Sequence, residues 1–377
     1  MTNLLNIPKL GFGFMRLPVT DGGKATDFDY TVLNGMVDEF MAQGFNYFDT
    51  AYIYYEGESE IALKKSVADR YPRESFLVAN KLPGWELQKQ ADVQRIFDTQ
   101  LERTGAGYFD FYLLHSIEKH NLGLYDNFDC WNWALEMKKK GLIRHFGFSF
   151  HDRPELLDEI LTKHPEVEFV MLQINYVDWK NPIVHSGGCY EVARKHNVPI
   201  VIMEPVRGGA LASMKPEWEA KLKAAAPDRS IASWAMRFCL SLDGVMTVTS
   251  GMSTPEQMRD NIDTFKNYTP FSEAEKACLA EVTKEYLMSP IIGCTSCRYC
   301  VEGCPANINI PGIISGYNTM LLYGEHDRPR FYYEGLTSNS GTAKACNACG
   351  KCEAICPQHL GVIDALKKAS AIFDVNS

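Results

Sequence analysis

Three apolar runs in the first third of the chain each stop on a side chain that can do acid-base or charge chemistry, and this repeated design narrows the fold more than any other feature. In GFNYFDTAYIY, residues 44–54, Phe45, Tyr47 and Phe48 give strand character, Asp49 arrives where the run stops, and Tyr54 lies in the turn beyond. FLVANK ends at Lys81, and FDFYLLH ends at His115. A parallel α/β barrel collects the carboxyl ends of its strands at one face, so an acid, a phenol, a cation and an imidazole from three strands can meet there.

The rest of the chain keeps the same rhythm. A helix over 27–43 stops at Gly44, and further helices are predicted near 58–70, 88–103, 128–140, 153–163, 185–197 and 230–241. Strands are predicted at 76–80, 109–114, 143–148, 169–174, 199–203 and 245–249. With a strand at 9–14, the opening strand that ends at Asp49 and a helix from Pro255, there are eight of each. That count predicts a closed (β/α)8 TIM barrel of α/β class, although an open doubly wound sheet satisfies the same alternation. Gly11-Phe12-Gly13 is not a dinucleotide fingerprint, because position 16 is Arg and no third glycine opens a helix.

The 377 residues, 46% of them hydrophobic, suffice for one large domain and a small one. A net charge of -9 argues against nucleic acid or an acidic membrane surface as partner. No apolar run approaches a spanning helix and the start, MTNLLNIPKL, has no leader pattern, so the expected location is cytoplasmic.

Each residue at the strand ends has a plain structural explanation: Asp49 as a turn cap, Tyr54 as packing, Lys81 solvated, His115 a satisfied core histidine. Taken together they form a working set. A tyrosine with a reference pKa of about 10 needs a nearby cation to give up its proton near neutrality. Lys81 is placed to serve, with Asp49 holding the ammonium and His115 reaching a substrate oxygen.

The pieces LGFGFMRLP, FDTAYIY, NKLP, DFYLLHS, KKKGLIRHFGFS and PVRGGAL, in order over residues 5–287, make this region resemble an aldo-keto reductase. The resemblance implies a catalytic tetrad of Asp49, Tyr54, Lys81 and His115, a carbonyl substrate, and NADP(H) or NAD(H) as hydride source. It also implies cofactor contacts from Met15 and Arg16, from Ser149 and Gln173 at the carboxamide, and from Gly208 and Gly209 over the pyrophosphate. After the last strand, SGMSTPEQMRDN carries Thr254 as N-cap, Pro255 at the first helical position and Gln257 where it completes a capping box. Such a helix start can bind phosphate, and the family resemblance implies Ser250, Gly251, Ser253, Gln257 and Asn261 as phosphate and adenine contacts. Three positions depart from the family pattern: Phe150 replaces an asparagine, Glu204 an aromatic ring that stacks on the nicotinamide, and Gln257 a basic residue. His151 could fill the first gap.

A boxed helix beginning at Ser272, with Glu275 at its third position, ends the barrel domain, predicted as 1–288. The remaining 289–377 carry Cys294, Cys297, Cys300 and Cys304, followed by Pro305, and the run repeats as Cys346, Cys349, Cys352 and Cys356, followed by Pro357. This is the bacterial ferredoxin spacing, and two copies predict two 4Fe-4S clusters. In the usual exchange Cys294, Cys297 and Cys300 share a cluster with Cys356, and Cys346, Cys349 and Cys352 share the other with Cys304. Zinc fits less well, since its sites favour paired CxxC units. The stretch between the runs has Ile313, Ile314, Tyr317, Met320, Leu321 and Leu322 at helical spacing, and the whole resembles a small α-helical ferredoxin-like domain with little core of its own. Isolated Cys130, Cys189, Cys239 and Cys278 are expected as small core residues.

The sequence thus predicts an oxidoreductase acting on a small carbonyl compound, with a one-electron protein partner as a further option. A ferredoxin-driven reductase without nicotinamide and a non-enzymatic redox-sensing or binding subunit are the rival readings.

Overall fold

The structure, a computed structural model, describes residues 4–181, 184–323 and 327–374. Eight parallel strands close into a barrel in sequence order: β1 Leu10–Gly13, β2 Tyr47–Asp49, β3 Leu77–Pro83, β4 Phe109–Ile117, β5 Ile143–Phe150, β6 Phe169–Gln173, β7 Ile200–Met203 and β8 Val245–Ser250. β1 pairs with β8 through Leu10 opposite Val248, which excludes the open sheet. The barrel interior is a packed layer of Tyr47, Ala79, Phe111, Leu113, Phe169, Met171, Val201 and Met246. Because side chains alternate along a strand, the residues two positions on from Tyr47, Ala79, Leu113 and Met171 point the same way. Those residues are Asp49, Lys81, His115 and Gln173.

Several predicted helices are altered for local reasons. The first runs Tyr30–Ala42 rather than from residue 27, because the Asp29 carboxylate accepts from the Thr31 and Val32 amides and sets the cap there. The helix predicted over 128–140 runs Cys130–Lys139, starting after Asp129 at φ +47°, and a short helix before it, Leu122–Asn127, was not predicted. That over 58–70 is helical through Glu58–Leu63 and then widens to a π turn over Lys64–Ala68. Helix Pro216–Ala225 was not predicted.

The chain divides into two compact units, one of residues 1–205 and 232–270, which holds all eight strands, and one of 206–231 and 271–377. In the second unit, helix Pro216–Ala225 packs on helix Glu273–Met288: Lys221 Nζ donates to Glu281 Oε1 and Glu285 Oε1, each at 2.6 Å, and the Trp218 and Tyr286 rings lie 5.4 Å apart. The predicted capping box at Ser272 is present in both directions. Helices Ile310–Tyr323, Asp327–Thr337 and Val362–Phe373 follow. Ile308, Ile313, Ile314, Tyr317, Tyr333, Val362, Leu366 and Phe373 are among the buried residues of one apolar cluster. The expectation of a module with little core is therefore corrected, while the helical spacing read between the cysteine runs falls in helix Ile310–Tyr323, the Leu322 side chain lying outside the described residues. Cys130, Cys189 and Cys239 are buried as expected, but Cys278 is half-buried, because its helix is covered on one side only. Among the described residues no helix is long and apolar enough to cross a membrane.

Candidate active site and cysteine cavity

At the carboxyl end of β3, Lys81 is almost wholly removed from solvent, and its Nζ donates to Asp49 Oδ1 at 2.6 Å and to the Thr50 carbonyl at 2.8 Å. Burial pushes the Asp49 carboxyl up and the Lys81 ammonium down, and each opposes the other's shift through its opposite charge. The polar network behind β3 fixes this strand end. Asn80 accepts from the Lys81 amide at 2.8 Å and donates to Glu60, while Gln100 donates to Asn80 and to the Lys81 carbonyl and accepts from Tyr112.

Tyr54 follows β2 in a short 3-10 turn whose next residues, Tyr55 and Glu56, have φ of +52° and +57°. Such backbone is held only where its surroundings enforce it. Here the Tyr55 hydroxyl donates to the Met15 carbonyl at 2.9 Å, and the Tyr55 ring meets Phe28 edge-on. The turn sets the Tyr54 ring centroid 5.0 Å from Lys81 Nζ and 6.0 Å from the His115 ring. His115 lies where β4 changes register at a bulge, with Ser116 at φ +53°. The Tyr125 hydroxyl donates to the His115 carbonyl. Burial, then the Lys81 charge, then His151, hold the His115 imidazole well below its usual pKa and so neutral. The four predicted residues thus come together.

Trp85 joins them, its ring 5.3 Å from that of His115, and was not singled out from the sequence. The signal was present: Pro83 and Gly84 mark where the strand stops, which puts the next residue in a connection at the same mouth.

The candidates for a dinucleotide divide into groups. Ser149 Oγ accepts from the Ser116 amide at 2.6 Å, which leaves its own proton to donate. Gln173 Nε2 donates to Asp178 at 3.0 Å. Ser253 Oγ donates to the Arg16 carbonyl at 3.2 Å, and a Cβ on Gly251 would lie 2.9 Å from the Arg16 stem. Asn261 Nδ2 donates to Ser250 Oγ at 3.2 Å. Helix Pro255–Lys266 is capped by Thr254, whose hydroxyl accepts from the Gln257 amide. The predicted capping box is corrected in its second half, because Gln257 Oε1 accepts from the Ser253 amide at 2.8 Å, one residue before the cap. Gly208 and Gly209 belong to the second unit.

Of the departures, Phe150 is a core residue, and His151 donates its amide to the Ile117 carbonyl. Glu204, at φ +55°, lies 3.8 Å from the Arg16 guanidinium. One observation suits a dinucleotide: Asp49 Oδ2 is buried at the barrel mouth without a hydrogen-bond partner, an acceptor available to a ribose hydroxyl or amide.

In the second unit a cavity is lined by Cys294, Cys297, Cys300 and Cys356, with Thr295 and Arg298. These four cysteines are the set that the interleaved ferredoxin pattern puts on one cluster. The Ser296 amide donates to Cys294 Sγ at 3.4 Å. Among the described residues no group of three or more His, Cys, Asp or Glu side chains is set to hold a metal ion. A cubane needs something else, since each of its irons takes one thiolate and the four cysteines surround the cluster without converging on one atom. The cavity fits that requirement. For the other set, Cys352 is buried and feels Cys346, and both pack against the module core.

Residues 9–284 match the profile described as the Aldo/keto reductase family, and 293–360 match the 4Fe-4S dicluster domain. The uncharacterized oxidoreductase YqkF of Bacillus subtilis (strain 168) is 27% identical over 318 residues, 75% of this chain and 95% of its own. Among solved structures, the holo form of aldo-keto reductase AKR11C1 from Bacillus halodurans superposes with a TM-score of 0.57 at 26% identity, covering 73% of this chain and 91% of that one. An aldo/keto reductase from Klebsiella pneumoniae in complex with NADP and acetate has the same fold, with a TM-score of 0.57 at 16% identity over 74% of this chain and 92% of that one.

Proposed function

Because the chain belongs to the aldo/keto reductase family and carries a 4Fe-4S dicluster domain, we propose that it reduces an aldehyde or ketone with a nicotinamide nucleotide, Tyr54 giving the proton. The observation that carries this reading is the ammonium of Lys81, gripped by Asp49 and lying 5.0 Å from the Tyr54 ring centroid. A cation there stabilises negative charge as it develops on the phenolic oxygen during proton transfer. His115, kept neutral by burial, can hydrogen-bond the substrate oxygen without adding a second cation. Asp49 Oδ2 and the Ser149 hydroxyl supply an acceptor and a donor for the ribose and carboxamide ends. The nicotinamide, when bound, supplies hydride to the carbonyl carbon.

Nicotinamide gives two electrons as hydride, whereas an iron-sulfur cluster moves one at a time. No flavin motif stands between them in the sequence, so the clusters lie off the hydride path and serve a one-electron protein partner or the stability of their own module. Titration of anaerobically purified protein with NADPH and with NADH, followed by nicotinamide fluorescence, tests the reading. Saturable binding of at least one is expected; binding of neither would overturn it.

A further inference from the structure

The wall of the four-cysteine cavity rests on a turn that lies far away in sequence. Thr295, between Cys294 and Cys297, lines the cavity and is 1% exposed. Its carbonyl oxygen approaches Gly208 so closely that a Cβ built on that glycine would lie 2.0 Å from it. Gly208 has φ +66°, and Arg207 before it has φ +52°, so the turn presents its bare Cα to Thr295. The neighbouring contact repeats the arrangement, for a Cβ on Gly293, directly before Cys294, would lie 2.6 Å from the Arg207 guanidinium. That guanidinium is almost fully buried and donates to the Tyr286 hydroxyl at 3.3 Å. Two successive residues of the turn are thus packed against both sides of Cys294.

We propose that the turn Arg207–Gly209 is part of the cradle of the cluster held by Cys294, Cys297, Cys300 and Cys356, so that this cluster and the turn become ordered together. The proposal rests on the assignment of those four cysteines to one cluster. Loops that wrap a cluster fold with it, because the ligands have no fixed arrangement without it. A backbone oxygen against a Cα cannot swing aside as a side-chain tip can, so displacement of Thr295 moves the cavity wall itself.

Two glycine variants in the reconstituted full chain separate this contact from simple backbone strain. Gly208→Ala introduces the collision, whereas Gly209→Ala, at φ +102° with nothing within 4 Å of its Cβ, introduces comparable strain without it. Iron content should fall from about eight to about four atoms per chain in Gly208→Ala and stay near eight in Gly209→Ala. Full iron in Gly208→Ala, or equal loss in both, would contradict the proposal. If either variant is insoluble, hydrogen exchange on the unaltered chain decides. Removal of iron should speed exchange over 206–213 together with 293–300, and an unchanged 206–213 beside a mobilised 293–300 would overturn the proposal. Failure of the cysteine assignment would appear separately, as Cys297→Ser and Cys356→Ser losing different clusters.

Discussion

Lys81 Nζ lies 2.6 Å from Asp49 Oδ1, and the two residues are 1% and 5% exposed. They form a buried ion pair at the carboxyl ends of β2 and β3. Removing one partner strands the other charge, so Lys81→Met should destabilise the barrel by about 3–5 kcal/mol. The double variant Asp49→Asn/Lys81→Met should recover much of that stability but no activity. Urea denaturation of the three proteins, set beside their turnover, checks this.

Tyr54→Phe keeps the ring beside Lys81 and removes only the phenolic hydroxyl that carries the proton. Carbonyl reduction should drop by about a hundredfold or more, the usual worth of a positioned acid, with little change in nucleotide affinity. Near-normal turnover of a genuine substrate would remove Tyr54 from the role of proton donor.

Asp49, Lys81 and His115 were legible in the sequence because each ends an apolar run on the parity of Tyr47, Ala79 and Leu113, which survives small errors in strand limits, whereas Tyr54 lies in the turn beyond β2. Met171 and Gln173 obey the same rule. The break at Asp129 was not legible, since its left-handed backbone has no glycine to announce it. The redirected Gln257 bond was also hidden: Ser253 and Thr254 are both plausible partners in the string, and only the path of the chain into the helix chooses between them. Likewise, the ferredoxin pattern offers a partition of the cysteines, whereas Gly208 meeting Thr295 is a contact between segments more than eighty residues apart. The Gly208-Gly209 pair marks a turn in the sequence without saying what packs on it.

The interleaved cluster assignment makes a pairwise prediction. Cys297→Ser and Cys356→Ser should lose the same cluster and show matching reduced-state electron paramagnetic resonance spectra, while Cys349→Ser should match Cys304→Ser. Each should keep the thermal transition of the barrel. Spectra that pair by position in sequence would instead assign each run of four to its own cluster.

Glu118, just past β4, is pushed up to about 8 by burial and by the nearby charge of Asp152, with His120 Nδ1 at 3.4 Å. The folded chain therefore keeps a proton that the unfolded chain has already released, across the interval from the ordinary value of 4.5 to about 8. This contribution to stability is whole below that interval and is lost as pH rises through it. Between pH 6 and pH 9 the urea midpoint should fall more for the parent protein than for Glu118→Gln, which has no such proton to lose. Parallel curves would place the titration elsewhere.

The source of the hydrogen on the product carbon tests the central claim most directly. With nicotinamide deuterated at C4 on the transferred face, a carbonyl reduced by this protein should carry one deuterium at the new carbinol carbon, and the label should persist in Cys349→Ser, which lacks a cluster. A product formed at full rate without deuterium, its hydrogen drawn from water and its electrons from the clusters, would contradict the account.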